Sequence, residues 1–295
     1  MTYKKTAKFF LPLSLLLLYC FIFSAAAIGQ RGRNLGKPAQ LEARLKLYKN
    51  RYLLREPIWV KVSATNVGEQ SGWFYFVTFE GLRIKDSRGS SFPCHISSSL
   101  FPVTVESGVT LEKEDNILFY FGRSESEYKS WWYLPPATYT IYYELNKNTR
   151  SSVDTFQVVE PTGDEAKAMN LLKESFDLLA VKKIDDALKK INRLIKNYPQ
   201  CSYAPFAMLR KISIYRIYLE DLDKALTTCY RLISAHVRSR EAVRCVEIIS
   251  AVHQTKKDKN GFVNAMNNLI KKYPESDISR EAEKQLEQVK DKDFE

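Results

Sequence analysis

The chain has 295 residues, 45% hydrophobic and 27% charged, with 11 Gly and 11 Pro; this is globular composition, long enough for two domains, and it excludes a wholly disordered chain. The net charge is +11, yet 17 Lys/Arg face 14 Asp/Glu over residues 28–160, and 25 face 20 over 161–295. In the C-terminal half the basic residues alternate with acids, so no nucleic-acid partner is expected.

Residues 1–27 join Lys4, Lys5 and Lys8 to an apolar run from Phe9 to Phe23 and then Ser24-Ala25-Ala26-Ala27. This is the pattern of a secretory signal peptide cleaved after Ala27. Two alternatives stay open. The run could be kept as an anchor, since about 20 apolar residues can span a bilayer, or Cys20 could carry a lipid, although Tyr19 stands where a small residue is wanted. The expectation is an exported bacterial protein, periplasmic or secreted, with membrane association only if the leader is retained or lipidated. Residues 28–39 read as a flexible linker.

Residues 40–160 read as a β-sandwich. Period-2 alternation runs through Ile58, Val60, Val62 and Ala64, and again through Tyr139, Ile141, Tyr143 and Leu145. Further strands are expected at 43–48, 73–79, 82–85, 117–121 and 153–159. Turn signals stand at Asn66-Val-Gly68, Asp86-Ser-Arg-Gly89, Glu114-Asp-Asn116 and Pro135-Pro136. Seven or eight short strands without a helical period imply two packed antiparallel sheets. The stretches LREPIWVKVSATNVG (54–68) and LPPATYTIYYEL (134–145) resemble the immunoglobulin-like accessory domains of exported bacterial proteins. The resemblance implies a fold, places Tyr139 at a tyrosine corner, and implies no activity. Neighbouring strand residues point to opposite faces, so the aromatic runs 73–76 and 131–133 cannot lie wholly in one core. They read as inter-domain packing, or as a stacking platform for a sugar or peptide.

Residues 161–295 read as a helical array. The stretch IDDALKKINRLIKNYP (184–199) places Ile184, Ala187, Leu188, Ile191, Leu194 and Ile195 on one helix face. The template recurs 38 residues on from Leu222 and a further 37 on from Lys259, and Tyr198-Pro199 returns as Tyr273-Pro274. Helices are expected near 203–219, 221–235, 239–254, 260–272 and 277–289, with Thr162-Gly-Asp-Glu165 as a capping box and Ser202 as an N-cap. Ala187, Ala225, Pro199 and Pro274 give the segment a resemblance to tetratricopeptide repeats. YPQCSYAPFA and YPESDISREA resemble more narrowly the repeats of envelope-assembly lipoproteins. The first-helix Trp and Gly of the repeat consensus are missing. Equivalence of Ile191, Cys229 and Met266 predicts a buried Cys229. Its level neighbour across an antiparallel helix pair is Cys245, with a disulfide left open.

Chemistry is sparse. His236 and His253 read as surface residues, and His95 completes no metal-ligand spacing. No P-loop, GxSxG or HExxH is present. The expectation is therefore no enzyme, no cofactor and no metal site. The function expected is a scaffold that binds a protein or peptide partner of the bacterial cell envelope through the repeat groove. Tyr203, Arg210 and Tyr215 are the groove candidates, on a second face of their helix, with Trp131 and Trp132 as the aromatic candidates. The alternatives are a carbohydrate- or peptidoglycan-binding module using Trp131-Trp132, and a protease-inhibitor-like accessory protein.

Overall fold

In this computed structural model the described residues are 37–75, 79–92, 102–117, 123–124, 132–289 and 291–294. The leader, most of the linker, Cys94, His95, Trp131 and the expected strand beyond Ile117 lie outside them. Trp132 is described as backbone alone.

The strands are β1 (Leu41–Leu47), β2 (Arg51–Leu53), β3 (Trp59–Asn66), β4 (Gly72–Tyr75), β5 (Leu82–Asp86), β6 (Ser91–Phe92), β7 (Pro102–Val105), β8 (Thr110–Asn116), β9 (Arg123–Ser124), β10 (Trp132–Tyr133), β11 (Ala137–Asn146), β12 (Thr149–Arg150) and β13 (Asp154–Val159), and buried residues alternate with open ones most clearly in β3, β5 and β11. One sheet has the order β1-β3-β8, all antiparallel. A second runs β2-β13-β11-β5-β6, with β12 on β11, and its β2–β13 pair is parallel. Both sheets send side chains into one core: Val60, Val62 and Ala64 from β3 meet Ile141, Tyr143 and Leu145 of β11. Inside it the Tyr139 ring stacks on Phe156 with centroids 5.3 Å apart, and its hydroxyl donates to the carbonyl of Pro135 at 2.5 Å. At the β5–β6 turn the Gly89 N–H donates to the Asp86 carbonyl at 2.9 Å, and Gly89 sits at φ +83°, a conformation that favours glycine.

One strand expectation needs correction. Glu114-Asp-Asn116 is the end of β8, not a turn. β8 lacks apolar alternation because polar residues occupy both of its faces: Lys113 and Asp115 stand in register with the core-facing Val62 and Val60 of β3, while Glu112 and Glu114 stand on the outward face. The aromatic run at 73–76 splits as alternation requires: Phe74 enters the core while Trp73 is half-buried.

Seven α-helices follow among the described residues: α1 (Gly163–Ala180), α2 (Ile184–Asn197), α3 (Ala204–Ile217), α4 (Leu222–Ala235), α5 (Arg240–Thr255), α6 (Lys259–Lys272) and α7 (Asp277–Gln288). Each packs on the next, and α3, α5 and α7 also pack in a row, so the array is a stack of helix pairs closed by α7. The apolar template faces inward in all three copies: Ile191, Cys229 and Met266 are fully buried. The turn before each second helix carries a left-handed residue at one repeat position, Lys182 (φ 59°), Glu220 (φ 52°) and Lys257 (φ 55°). None of the three is Gly. In the first turn Lys182 N–H bonds Leu179 O and Lys183 N–H bonds Leu178 O, the paired closure of a Schellman motif.

The caps depart from expectation in an instructive way. Ser239 and Ser276 accept from the N–H three residues on, Ala242 and Ser279. Ser202 occupies the same repeat position but makes no such bond, because the residue three on is Pro205, which has no N–H. Its N–H and hydroxyl instead donate to the Glu165 carboxylate, at 2.9 and 3.1 Å. Glu165 is thereby diverted from a capping box, and Thr162 makes no side-chain cap.

Cys229 and Cys245 are buried free thiols in side-chain contact. Burial pushes the Cys201 thiol up to about 11. His253 is buried, which corrects the surface reading: it closes α5, and its Nδ1 lies 3.1 Å from Asp258, the cap of α6. No helix among the described residues is long and apolar enough to cross a membrane.

Candidate functional site

Alternation on β3 aims Trp59 away from the sheet core, yet Trp59 is only 7% exposed. Helix α5 covers it. The indole Nε1–H donates to Glu241 Oε1 at 2.8 Å, and Glu241 is equally buried. Burial raises the Glu241 carboxyl above its ordinary value of 4.5, against the Trp59 hydrogen bond and the charge of Lys49. Next to it Arg240 joins three elements. Its Nε donates to Glu114 of β8 at 2.7 Å, its Nη1 to Asp277 of α7 at 2.8 Å, and its guanidinium lies 4.5 Å from the Tyr48 ring centroid. A third contact comes from α3, whose preceding residue Tyr203 donates its hydroxyl to the Leu54 carbonyl at 2.5 Å. Leu53 completes the junction by packing into the core of α1, α2 and α3.

These contacts follow the repeat. Tyr203, Arg240 and Asp277 are spaced by 37 residues, as are Ala204, Glu241 and Ile278. The first row reaches toward the strands or toward its own neighbour. The second is buried in all three copies, and Glu241 is its one charged member. The strand half therefore sits on the first turns of α3 and α5. Beside this junction a cleft of about 810 Å³ opens between β1, β3, β8 and helices α5 and α7. Its walls carry seven Lys/Arg and five Asp/Glu, with Lys61–Glu112, Arg244–Glu247, Arg280–Asp277 and Lys284–Glu281 paired along one wall or the other.

The predicted groove residues do not form one surface. Tyr203 is fully buried, and its burial under Leu54 takes it off any open groove. Arg210 stands seven residues on from Tyr203, on the same face of α3. Its guanidinium lies 4.5 Å from the Phe176 ring of α1. Tyr215 turns the other way, against the core that α3 shares with α4 and α5, with Lys211 and Lys224 at 5.7 and 5.9 Å from its ring centroid. Trp131 lies outside the described residues, as does the Trp132 side chain. Sequence reasoning missed Trp59, Arg240 and Glu241. The available signals were a Trp in the outward register of an alternating strand, and a Glu where neighbouring copies have Ala204 and Ile278.

Among the described residues no group of three or more His, Cys, Asp or Glu side chains is placed to hold a metal ion. The arrangement is a strand half joined to a helical-repeat array.

A family model described as YfiO, outer membrane lipoprotein, matches residues 164–292, the helical array without the strand half. No curated protein sequence matches the chain. Among solved structures, a β-glucosidase from Erythrobacter marinus is 16% identical over 41% of this chain and 16% of its own, with a TM-score of 0.30. A Listeria innocua β-glucosidase in complex with gluconolactone is 15% identical over 42% and 17%, TM-score 0.28. A Pseudomonas fluorescens alkylpurine DNA glycosylase bound to DNA is 12% identical over 41% and 31%, TM-score 0.28. This chain spans less than a third of each. Similarity this slight carries no argument.

Proposed function

We propose that the protein is an exported, non-enzymatic scaffold of the bacterial cell envelope that binds a protein or peptide partner through its helical array. The observation that carries this reading is the array itself: stacked pairs at a 37–38-residue repeat, matched over 164–292 by a model of outer membrane lipoproteins. Solenoids of this kind recognise extended or helical segments along the face formed by the first helix of each pair. The reading takes residues 1–27 as the signal peptide and 28–39 as a linker. Residues 40–160 are then an immunoglobulin-like β-sandwich, and 161–295 a tetratricopeptide-like array. The Tyr139 hydroxyl bond to Pro135 four residues upstream supports the immunoglobulin-like assignment, since tyrosine corners make such a bond. In this reading the sandwich holds the array through Trp59, Arg240 and Tyr203 and presents it at a fixed angle. The test is crosslinking pull-down from native envelopes with photoreactive residues placed along α1 and α3. A dominant partner captured from those positions is the expected result. Capture only from the strand half would overturn it.

A further inference from the structure

The guanidinium of Arg210 has no hydrogen-bond or ion-pair partner among the described residues, and its Nε is enclosed without one. Arg210 as a whole is half-buried; enclosed polar atoms are almost always satisfied, and withdrawing a cation from water without a counter-charge is costly. Burial accordingly lowers the Arg210 pKa, opposed only by the nearby Tyr218. The group is nonetheless held in place. It lies 4.5 Å from the Phe176 ring centroid, and Phe176 is itself stacked on Phe206 at 6.1 Å. A planar fork of N–H donors fixed on an aromatic face is the geometry that receives a carboxylate in two-pronged fashion.

The surroundings restrict the occupant further. Ile217 stands seven residues on from Arg210, on the same face of α3 and about 10 Å along it. It is 67% exposed, and Tyr218 and Leu219 beside it are exposed too. The face thus offers a fixed cation and, about 10 Å away, an uncovered apolar patch. In a polyproline-II segment, residues i and i+3 point the same way and are about 9 Å apart.

We propose that the α1–α3 face binds an extended peptide whose Asp or Glu side chain pairs with Arg210 while an aliphatic side chain three residues on covers Ile217. This rests on the peptide-binding reading above and names the chemistry of its ligand. Arg210 is here a cation kept unpaired in the free protein because its counter-charge arrives with the partner.

The probe is the peptide acetyl-Ala-Glu-Pro-Pro-Leu-Ala-amide, fluorescently labelled and titrated into the full chain. Binding is followed by polarisation and by the ¹⁵N–¹H signal of Arg210 Nε. The Glu peptide is expected to bind and to shift that signal. Its Gln version, and the Glu peptide with Arg210→Met, are each expected to bind about tenfold or more weakly, the loss of a charge-assisted pair. Arg210→Met should melt no lower than the unaltered chain, because it keeps the volume over Phe176 and removes an unpaired charge; this separates lost binding from lost fold. Equal binding of the Glu and Gln peptides, or of both proteins, overturns the carboxylate site and leaves the groove reading standing. Binding carried instead by a free C-terminal carboxylate on the Gln peptide overturns the side-chain assignment. No binding by any of them overturns the site, and the groove reading is then decided by the envelope crosslinking.

Discussion

Trp59→Phe should weaken the junction between the strand and helical halves by about 2 kcal/mol. The substitution keeps most of the ring in its pocket and deletes one donor, the Nε1–H that meets Glu241 at 2.8 Å. A hydrogen bond to a charged acceptor contributes about 1.5–3 kcal/mol, and deleting the donor strands a buried carboxylate. Glu241→Gln keeps an acceptor and removes the charge, so it should be near neutral or stabilising. In that background Trp59→Phe deletes only a neutral bond, about 0.5–1.5 kcal/mol. The double-mutant cycle should therefore return a coupling near 1 kcal/mol. Urea unfolding of the four proteins, followed by circular dichroism, measures it. A Trp59→Phe protein within about 0.5 kcal/mol of the parent, or a coupling near zero, would refute the junction described.

The same carboxyl gives the junction a pH dependence. Burial raises the Glu241 pKa above its ordinary 4.5, so the fold favours the protonated form more than the unfolded chain does. That contribution is fully present below 4.5 and is lost as pH rises through the folded-state value. Glu241→Gln cannot titrate. Its stability advantage over the parent should widen as pH climbs through this window, and a constant difference would contradict the assignment.

Other perturbations probe the array. Cys229→Asp places an unpaired charge among fully buried residues and should cost at least about 4 kcal/mol; an unchanged melting temperature would break the repeat register. Replacing Lys182, Glu220 and Lys257 by Gly relieves three left-handed non-glycine residues. The gain should be about 0.5 kcal/mol each after glycine's extra chain entropy is subtracted, seen as a melting point raised by a few degrees for the triple variant; a lower one contradicts the turn geometry. Arg240→Met removes the donor shared by Glu114 and Asp277 and should cost ~2 kcal/mol. Raised salt should narrow that loss, because the pair partners are partly open to solvent.

What the sequence made legible was whatever has a period. The inward faces of β3 and β11 and the template of α2, α4 and α6 could be placed because burial on one side leaves every second or every third to fourth residue apolar. The edge strand β8 was illegible. Its outward Glu114 meets Arg240 of α5, and its inward register holds Lys113 and Asp115 opposite Val62 and Val60, so it is polar on both faces and reads as a turn. Ser202 misled for a different reason, since the failure of its cap depends on the absent N–H of Pro205. The site candidates split in the same way. Tyr203 and Arg210 do share a helix face, as their spacing implies, but which end of that face is covered depends on where the strand half lands.

That landing place follows from the repeat once Glu241 is recognised as the exception. At the position of Ala204 and Ile278, a repeat needs only a small or apolar side chain to pack its first helix. A carboxylate there is unfavourable unless a donor is supplied from outside the array, and among the described residues the donor is Trp59 of β3. The neighbouring row works likewise: Tyr203 finds the Leu54 carbonyl and Arg240 finds Glu114, both from the strand half. An array lacking that half would expose a hydroxyl, a guanidinium and a carboxylate where a solenoid ordinarily packs or caps. The strand half therefore satisfies the first-turn edge of the array and closes it. Val181, Ile217, Tyr218 and Leu219 stay exposed at the opposite edge. Arg210 lies between the closed edge and the open one, so a partner that reaches its guanidinium approaches from the side of Ile217.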